Sequence, residues 1–215
     1  MGKEKEFILG LDVSTKTIGI ALFEDTGNNG LLKVLTHVTP NIKPKPVNKI
    51  QELFEKVRAF ENEFLNKYKD MNITKVIIEE PLLRSNNVNT VGVLLRFNGM
   101  IARSVYEILG LVPEFISSYD ARKFGFPELM EIRRFNKKGD PYSEKEISKK
   151  NPVLFGGFPW EIDKKLVVFE KVCELEPQIT WLYTKNKTLK KENFDLTDAY
   201  ICVIGYMNKN GLWVK

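Results

Sequence analysis

One histidine and two cysteines are all the imidazole and thiol that 215 residues contain. His37 falls in an expected edge strand and reads as structural. Cys173 and Cys202 each sit within an apolar helical pattern, as buried thiols of a reducing compartment rather than as a disulfide or a zinc site. Imidazole-based triads and zinc chemistry therefore lack their residues. No apolar run approaches the ~20 residues of a membrane span, and the charged opening Met1-Gly-Lys-Glu-Lys-Glu6 is not a secretory signal. A soluble, cytoplasmic protein without a membrane partner is expected. Internal repeats and domain-dividing linkers are also missing, so 1–215 reads as one domain. Catalysis, where present, falls to carboxylates and lysines.

With 43% hydrophobic and 28% charged residues, the chain can bury a sizeable core. Its formal net charge of +5 suits a nucleic-acid partner without requiring one.

Phe7 to Leu11 is a short apolar run suited to a strand buried on both faces, and it ends at Asp12. Ile18 to Phe23, the turn Asp25-Thr-Gly-Asn-Asn-Gly30 and Leu31 to Val38 complete an antiparallel meander. After the proline-punctuated stretch 39–46, a helical stripe runs from Ile50 to Tyr68. A second buried strand over Thr74 to Ile78 stops at Glu79, Glu80 and Pro81, because proline cannot extend the ladder. A long helix follows from about Asn89 to Leu109, with Gly99 at mid-length predicting a close neighbour there. A strand over Leu111 to Ile116 closes a βαβ pattern. From about 119 to 163 the periodicity fails and an irregular charged excursion is expected. Helical pattern returns with Leu166, Phe169, Val172 and Cys173. A lysine-rich segment, 185–191, precedes a final apolar helix headed by Asp195 and Asp198.

A carboxylate ending a buried strand needs hydrogen bonds or a cation. Asp195 and Asp198, three residues apart, share one helix face, and two readings stand side by side. In one, Asp195 is an N-cap and Asp198 complements the helix dipole. In the other, both converge with Asp12 and Glu79 at the carboxyl ends of parallel strands, where α/β folds hold their sites. Four such acids would repel unless cations lay among them, and all-oxygen ligation selects Mg²⁺ or Mn²⁺. Two ions ~3.5–4 Å apart hydrolyse phosphodiesters by activating water and stabilising the leaving oxygen.

Three pieces in this order, Ile8-Leu-Gly-Leu-Asp12 with Thr17-Ile-Gly-Ile-Ala21, Val76-Ile-Ile-Glu79, and Asp195-Leu-Thr-Asp198-Ala199, resemble the RuvC-type Holliday-junction resolvases of the RNase H-like superfamily. Asn86/Asn87 and Gly99 also correspond. The resemblance covers most of the chain except roughly 126–160 and the lysine-rich segment, and the long excursion is similar to a phage, viral or organelle-like branch. It implies an α/β fold, an RNase H-like mixed five-stranded sheet with three antiparallel strands then parallel additions, flanked by helices. It implies a DNA endonuclease of recombination and repair that resolves four-way junctions by paired phosphodiester hydrolysis. Asp12, Glu79, Asp195 and Asp198 would be metal ligands for two Mg²⁺ (or Mn²⁺) ions, with Glu79 favoured over Glu80, and Lys165 rather than Lys164 would stand beside the scissile phosphate. Branched DNA and a second copy of the chain are the implied partners. Two opposed cuts call for a two-fold homodimer, for which the 89–109 helix, with Phe97 and Met100, is the expected interface. Two departures stand out. Val13-Ser14 replaces a Pro-Gly, and Leu82 replaces an aromatic that opens the junction centre, leaving that task to Phe97 or the excursion. Competing readings are another RNase H-like nuclease acting on RNA, RNA–DNA hybrid or flaps, a non-catalytic DNA-binding relative, and the actin/sugar-kinase class, which needs a second phosphate loop.

Overall fold

The computed structural model describes residues 4–40, 42–43, 46–81 and 88–213. Asn86/Asn87 and Leu82 lie outside the described residues. Strands β1 (Glu6–Val13), β2 (Ile18–Asp25), β3 (Gly30–Val38), β4 (Ile73–Glu79) and β5 (Glu114–Ile116) form one sheet in the order β3-β2-β1-β4-β5. The β1–β2 and β2–β3 pairs are antiparallel, and β1–β4 and β4–β5 are parallel. This is the mixed five-stranded α/β arrangement expected from the sequence, with His37 on the edge strand β3. The last strand is shorter than the expected 111–116 and starts just past Pro113, which has no N–H to give a ladder.

Side chains alternate across the sheet, so each central strand feeds two cores. Leu9, Leu11, Ile20, Leu22, Val76 and Ile78 face one layer. That layer is α1 (Lys49–Phe60), extended by a wide π turn over Glu61–Leu65 into α2 (Asn66–Tyr68), together with α3 (Val88–Leu109). Asn48 caps α1 by accepting from the Gln51 N–H at 2.9 Å. Ser104 of α3 donates to Glu61 at 2.6 Å, tying the two helices together. Ile8, Ala21, Phe23 and Ile77 face the other layer, formed by α4 (Ser118–Gly125), α6 (Lys164–Leu175) and α7 (Glu192–Lys209). Helix α7 is apolar nearly all round because the sheet lies under it and α4 and α6 over it.

Five expectations need correction. The excursion is less irregular than expected: it opens with α4, β6 (Met130–Glu131) pairs with β7 (Val153–Leu154), and between them α5 (Glu144–Ile147) carries a Ser143/Glu146 capping box. Two-residue strands and a one-turn helix are too short to print a period on the sequence. Phe97 is 1% exposed and belongs to the core, so it is neither an interface residue nor a group that could open a junction. Gly99 has no close neighbour, since a Cβ there would meet nothing within 4 Å. Cys173 is only half-buried, while Cys202 is fully buried, and both are free thiols. Asp195 is not an N-cap, because α7 starts three residues earlier, at Glu192. Among the described residues no helix is long and apolar enough to cross a membrane.

Candidate active site

Alternation also selects the acids. Ile8, Gly10 and Asp12 share the face of β1 that meets α7, and Ile77 and Glu79 share that face of β4. Glu80 is exposed, with its backbone N–H donating to Ile116 at 2.8 Å, so the register favours Glu79. Helix α7 reaches the strand ends by lying directly on main chain. A Cβ at Gly10 would fall 2.5 Å from a Val203 methyl and collide with the Ala199 carbonyl. One at Gly19, the β2 partner of Asp12, would collide with the Asp195 carbonyl. The two glycines thus let α7 carry Asp198 and Asp195 over the end of the sheet.

Oxygens of Asp12, Glu79 and Asp198 lie within 4.8 Å of one another. Asp195, one turn earlier on α7, stands beside this group rather than in it, and it lines the same cavity wall as Thr17, which acts to lower its pKa. Ser14 shapes that turn: its hydroxyl donates to the Thr17 carbonyl at 2.8 Å and accepts from the Thr17 N–H at 3.0 Å. Serine therefore makes the tight bend where the resemblance has Pro-Gly. Lys165, in the first turn of α6, donates to Asp198 at 2.8 Å. Asp163 caps that turn through the Lys165 and Leu166 N–H groups. Lys164 is exposed and forms no ion pair among those described.

The acids are short of positive charge. Burial, then the charges of Glu79, Asp198 and Asp195, hold the Asp12 carboxyl well above the usual range. Burial and then Asp198 push Glu79 up to about 7, against the pull of Arg122 and Lys165. Asp195 is raised to about 6, by burial first, although Lys165 opposes it. Burial lowers the Lys165 pKa, but Asp198 outweighs this and the net shift is upward. Three mutually repelling carboxylates, with no imidazole nearby, suit a hard divalent cation such as Mg²⁺ or Mn²⁺. The Cys202 thiol, 4.0 Å from a Glu79 oxygen, is raised by burial and then by Glu79, and is no thiolate ligand.

Two cavities flank the cluster, and Lys165 lines both. One, of ≈ 920 Å³, is walled by Lys16, Thr17, Lys190, Lys191 and Asp195 among others. Asn193 fixes its lysine-bearing rim by donating to the Leu182 and Lys190 carbonyls at 2.7 and 3.0 Å. The other, of ≈ 420 Å³, lies between Tyr119, Arg122, Lys164 and the residues Met130, Val153 and Leu154 of the β6–β7 pair. Sequence reasoning missed Thr17 and Arg122. Thr17 sits in a turn whose Ser-x-x-Thr spacing could have pointed to it. Arg122 lies in the aperiodic stretch, where nothing marks it.

No family model matches the chain, and no curated protein matches it. Among solved structures, that of Thermus thermophilus RuvC aligns with 95% of this chain and 96% of its own, at 14% identity and a TM-score of 0.51. A second structure, T. thermophilus RuvC in complex with a Holliday junction substrate, aligns over the same shares at 11% identity and a TM-score of 0.53. At such identities the likeness is one of fold, and the chain has a RuvC-like, RNase H-like fold.

Proposed function

We propose that this chain is a metal-dependent endonuclease that hydrolyses phosphodiesters of branched DNA, four-way junctions above all, as a homodimer. The observation that carries the reading is the meeting of Asp12, Glu79 and Asp198 beneath Lys165, between two cation-lined cavities. The RuvC-like fold supports it, since one such neighbour was solved with a Holliday junction substrate. Asp12, Glu79 and Asp198 would hold one Mg²⁺ or Mn²⁺, with Asp195 the fourth acid for a second ion. The metal would supply Lewis-acid activation of water and stabilisation of the leaving oxygen. Lys165 holds its ammonium over the acids and would donate to a non-bridging phosphate oxygen. Lys16, Lys190 and Lys191 on one side, and Arg122 and Lys164 on the other, would carry the flanking phosphates. The free thiols accord with a reducing, cytoplasmic setting.

For the dimer, the outward face of α3 supports the reading. Val88, Leu95 and Tyr106 are exposed there, and Gly92 and Gly99 leave open space between them. The test is incubation with labelled four-way junction, duplex, flap and RNA–DNA hybrid, in Mg²⁺ and in EDTA. Paired symmetric cuts in the junction with Mg²⁺ alone are expected. Full activity in EDTA, or cleavage of hybrid with the junction left intact, overturns the proposal.

A further inference from the structure

The excursion contains a cavity that the proposed chemistry does not use. It measures ≈ 350 Å³ and is lined by Glu131, Ile132, Arg134, Phe135, Phe155 and Phe158, together with Gly156. Phe135, Phe155 and Phe158 are 43%, 40% and 37% exposed, large apolar surface on a segment otherwise rich in charge. Phe135 and Phe158 meet edge-on at 6.1 Å, and Phe158 meets Trp160 at 5.4 Å. The Arg133 guanidinium lies 4.1 Å from the Trp160 ring centre.

The cavity is built rather than incidental. Phe155, Gly156 and Gly157 take three successive left-handed conformations, φ 48°, 64° and 80°. Glycine adopts these freely, but a phenylalanine does so only where its surroundings hold it. A Cβ at Gly157 would collide with the Arg133 guanidinium, so the bend wraps round that side chain. The stretch 132–150 carries seven Lys/Arg against three Asp/Glu, a net +4.

Its position relates it to the acids. Met130 and Leu154 line the ≈ 420 Å³ cavity that Lys165 and Arg122 share, while their sequence neighbours Glu131 and Phe155 line the aromatic one. Met130–Glu131 and Leu154–Phe155, two pairs of consecutive residues, thus form the wall that the two cavities share. The inner cavity is basic and suits a phosphate. The outer has aromatic walls, with the carboxylate of Glu131 and the guanidinium of Arg134 at its edge, and suits a base with its donor and acceptor groups.

We infer that the β6–β7 excursion receives an unpaired DNA base, stacked against Phe135, Phe155 and Phe158, from the strand whose neighbouring phosphate lies by Lys165. The inference rests on the proposed nuclease function and adds a preference for DNA with unpaired nucleotides. Fluorescence anisotropy of the full chain in EDTA, with linear duplex and with duplex carrying a one-nucleotide gap, tests it. Wild type should bind the gapped DNA more tightly. Phe135→Ala and Phe155→Ala should each lower the gapped-to-duplex affinity ratio roughly tenfold, the usual weight of one stacked base. Phe135→Leu, which keeps apolar volume and folding, should lower it as well, and Phe135→Trp should restore it. A wild-type ratio near one, an unchanged ratio in the alanine variants, or a Phe135→Leu ratio equal to wild type overturns the inference. Equal losses on a gapped RNA–DNA hybrid but none on gapped DNA would overturn the assignment to DNA. Wild type that binds no DNA and cuts none defeats both readings. Wild type that cuts junctions while the ratio stays flat defeats this one alone.

Discussion

Lys165 stands 2.8 Å from an oxygen of Asp198, across the gap between α6 and α7. Its helix contributes no acid to the cluster, so this ammonium is a counter-charge delivered from a separate element. Lys165→Ala should lower the cleavage rate by about 10²–10³, the usual loss when one charged donor to a reacting phosphate is removed. Lys164→Ala should cost less than threefold. Single-turnover rates on a four-way junction check both, and equal effects would discard the assignment.

Asp12→Asn, Glu79→Gln and Asp198→Asn should each abolish cleavage while leaving junction binding within about threefold, because Lys/Arg contacts to phosphates carry the affinity. Asp195→Asn should be weaker, as its carboxylate stands apart from the other three. Glu80→Gln should be silent. Gel-shift and nicking assays on one preparation separate binding from chemistry, and a Glu80→Gln null with active Glu79→Gln would reverse the register.

The metal-free protein should lose stability as pH rises. Glu79 titrates at about 7 and Asp195 at about 6 in the fold, both above their unfolded values, and Asp12 is raised as well. The folded chain therefore keeps protons that the unfolded chain has released. The stability this confers is whole below about pH 4 and is lost as pH climbs through 7. Tm in EDTA should fall by about 5 °C between pH 5 and 7.5. Millimolar Mg²⁺ or Glu79→Gln should flatten the slope. A Tm that rises over this range contradicts the unpaired acids.

On α3, Leu95 is 43% exposed and Phe97 is 1% exposed, two positions apart. Leu95→Glu should give a folded monomer that nicks one strand at most. Phe97→Glu should unfold the protein, since it buries an unpaired charge. Sedimentation of a wild-type monomer at micromolar concentration, with paired cuts intact, would remove the dimer.

Gly19→Ala should be costly, because the atom it meets is the Asp195 carbonyl and main chain cannot swing aside as a side chain would. We expect a loss of about 1–3 kcal/mol by chemical denaturation and a fall in cleavage rate. Gly99→Ala, with open space around it, should be neutral to slightly stabilising. Comparable losses at the two glycines would contradict the close approach.

The strands were legible because β1 and β4 are long enough, at eight and seven residues, to stand out as apolar runs between polar turns. Those runs show no alternation, so Glu79 was preferred to Glu80 on the resemblance alone, and the strand register agrees with that preference. The cap reading of Asp195 stayed open beside the ligand reading because Glu192-Asn193 is polar and hides the true start of α7. Phe97 was misread as surface because α3 carries apolar residues both toward the sheet and away from it. The β6–β7 pair left no trace, as two residues hold no alternation. Arg122 is drawn to Glu79 only by tertiary packing, which no local pattern encodes.

Helix and sheet meet main chain to main chain at Gly19, and at Gly10 the Ala199 carbonyl and one Val203 methyl rest on bare backbone. The gap from Asp12 to Asp198 is therefore measured out in peptide planes, a ruler that repacking the α1–α3 layer does not stretch. Buried substitutions in that layer can raise or lower the melting point while the acids keep their spacing, so heat tolerance and the geometry of the acid cluster can be tuned separately in this chain.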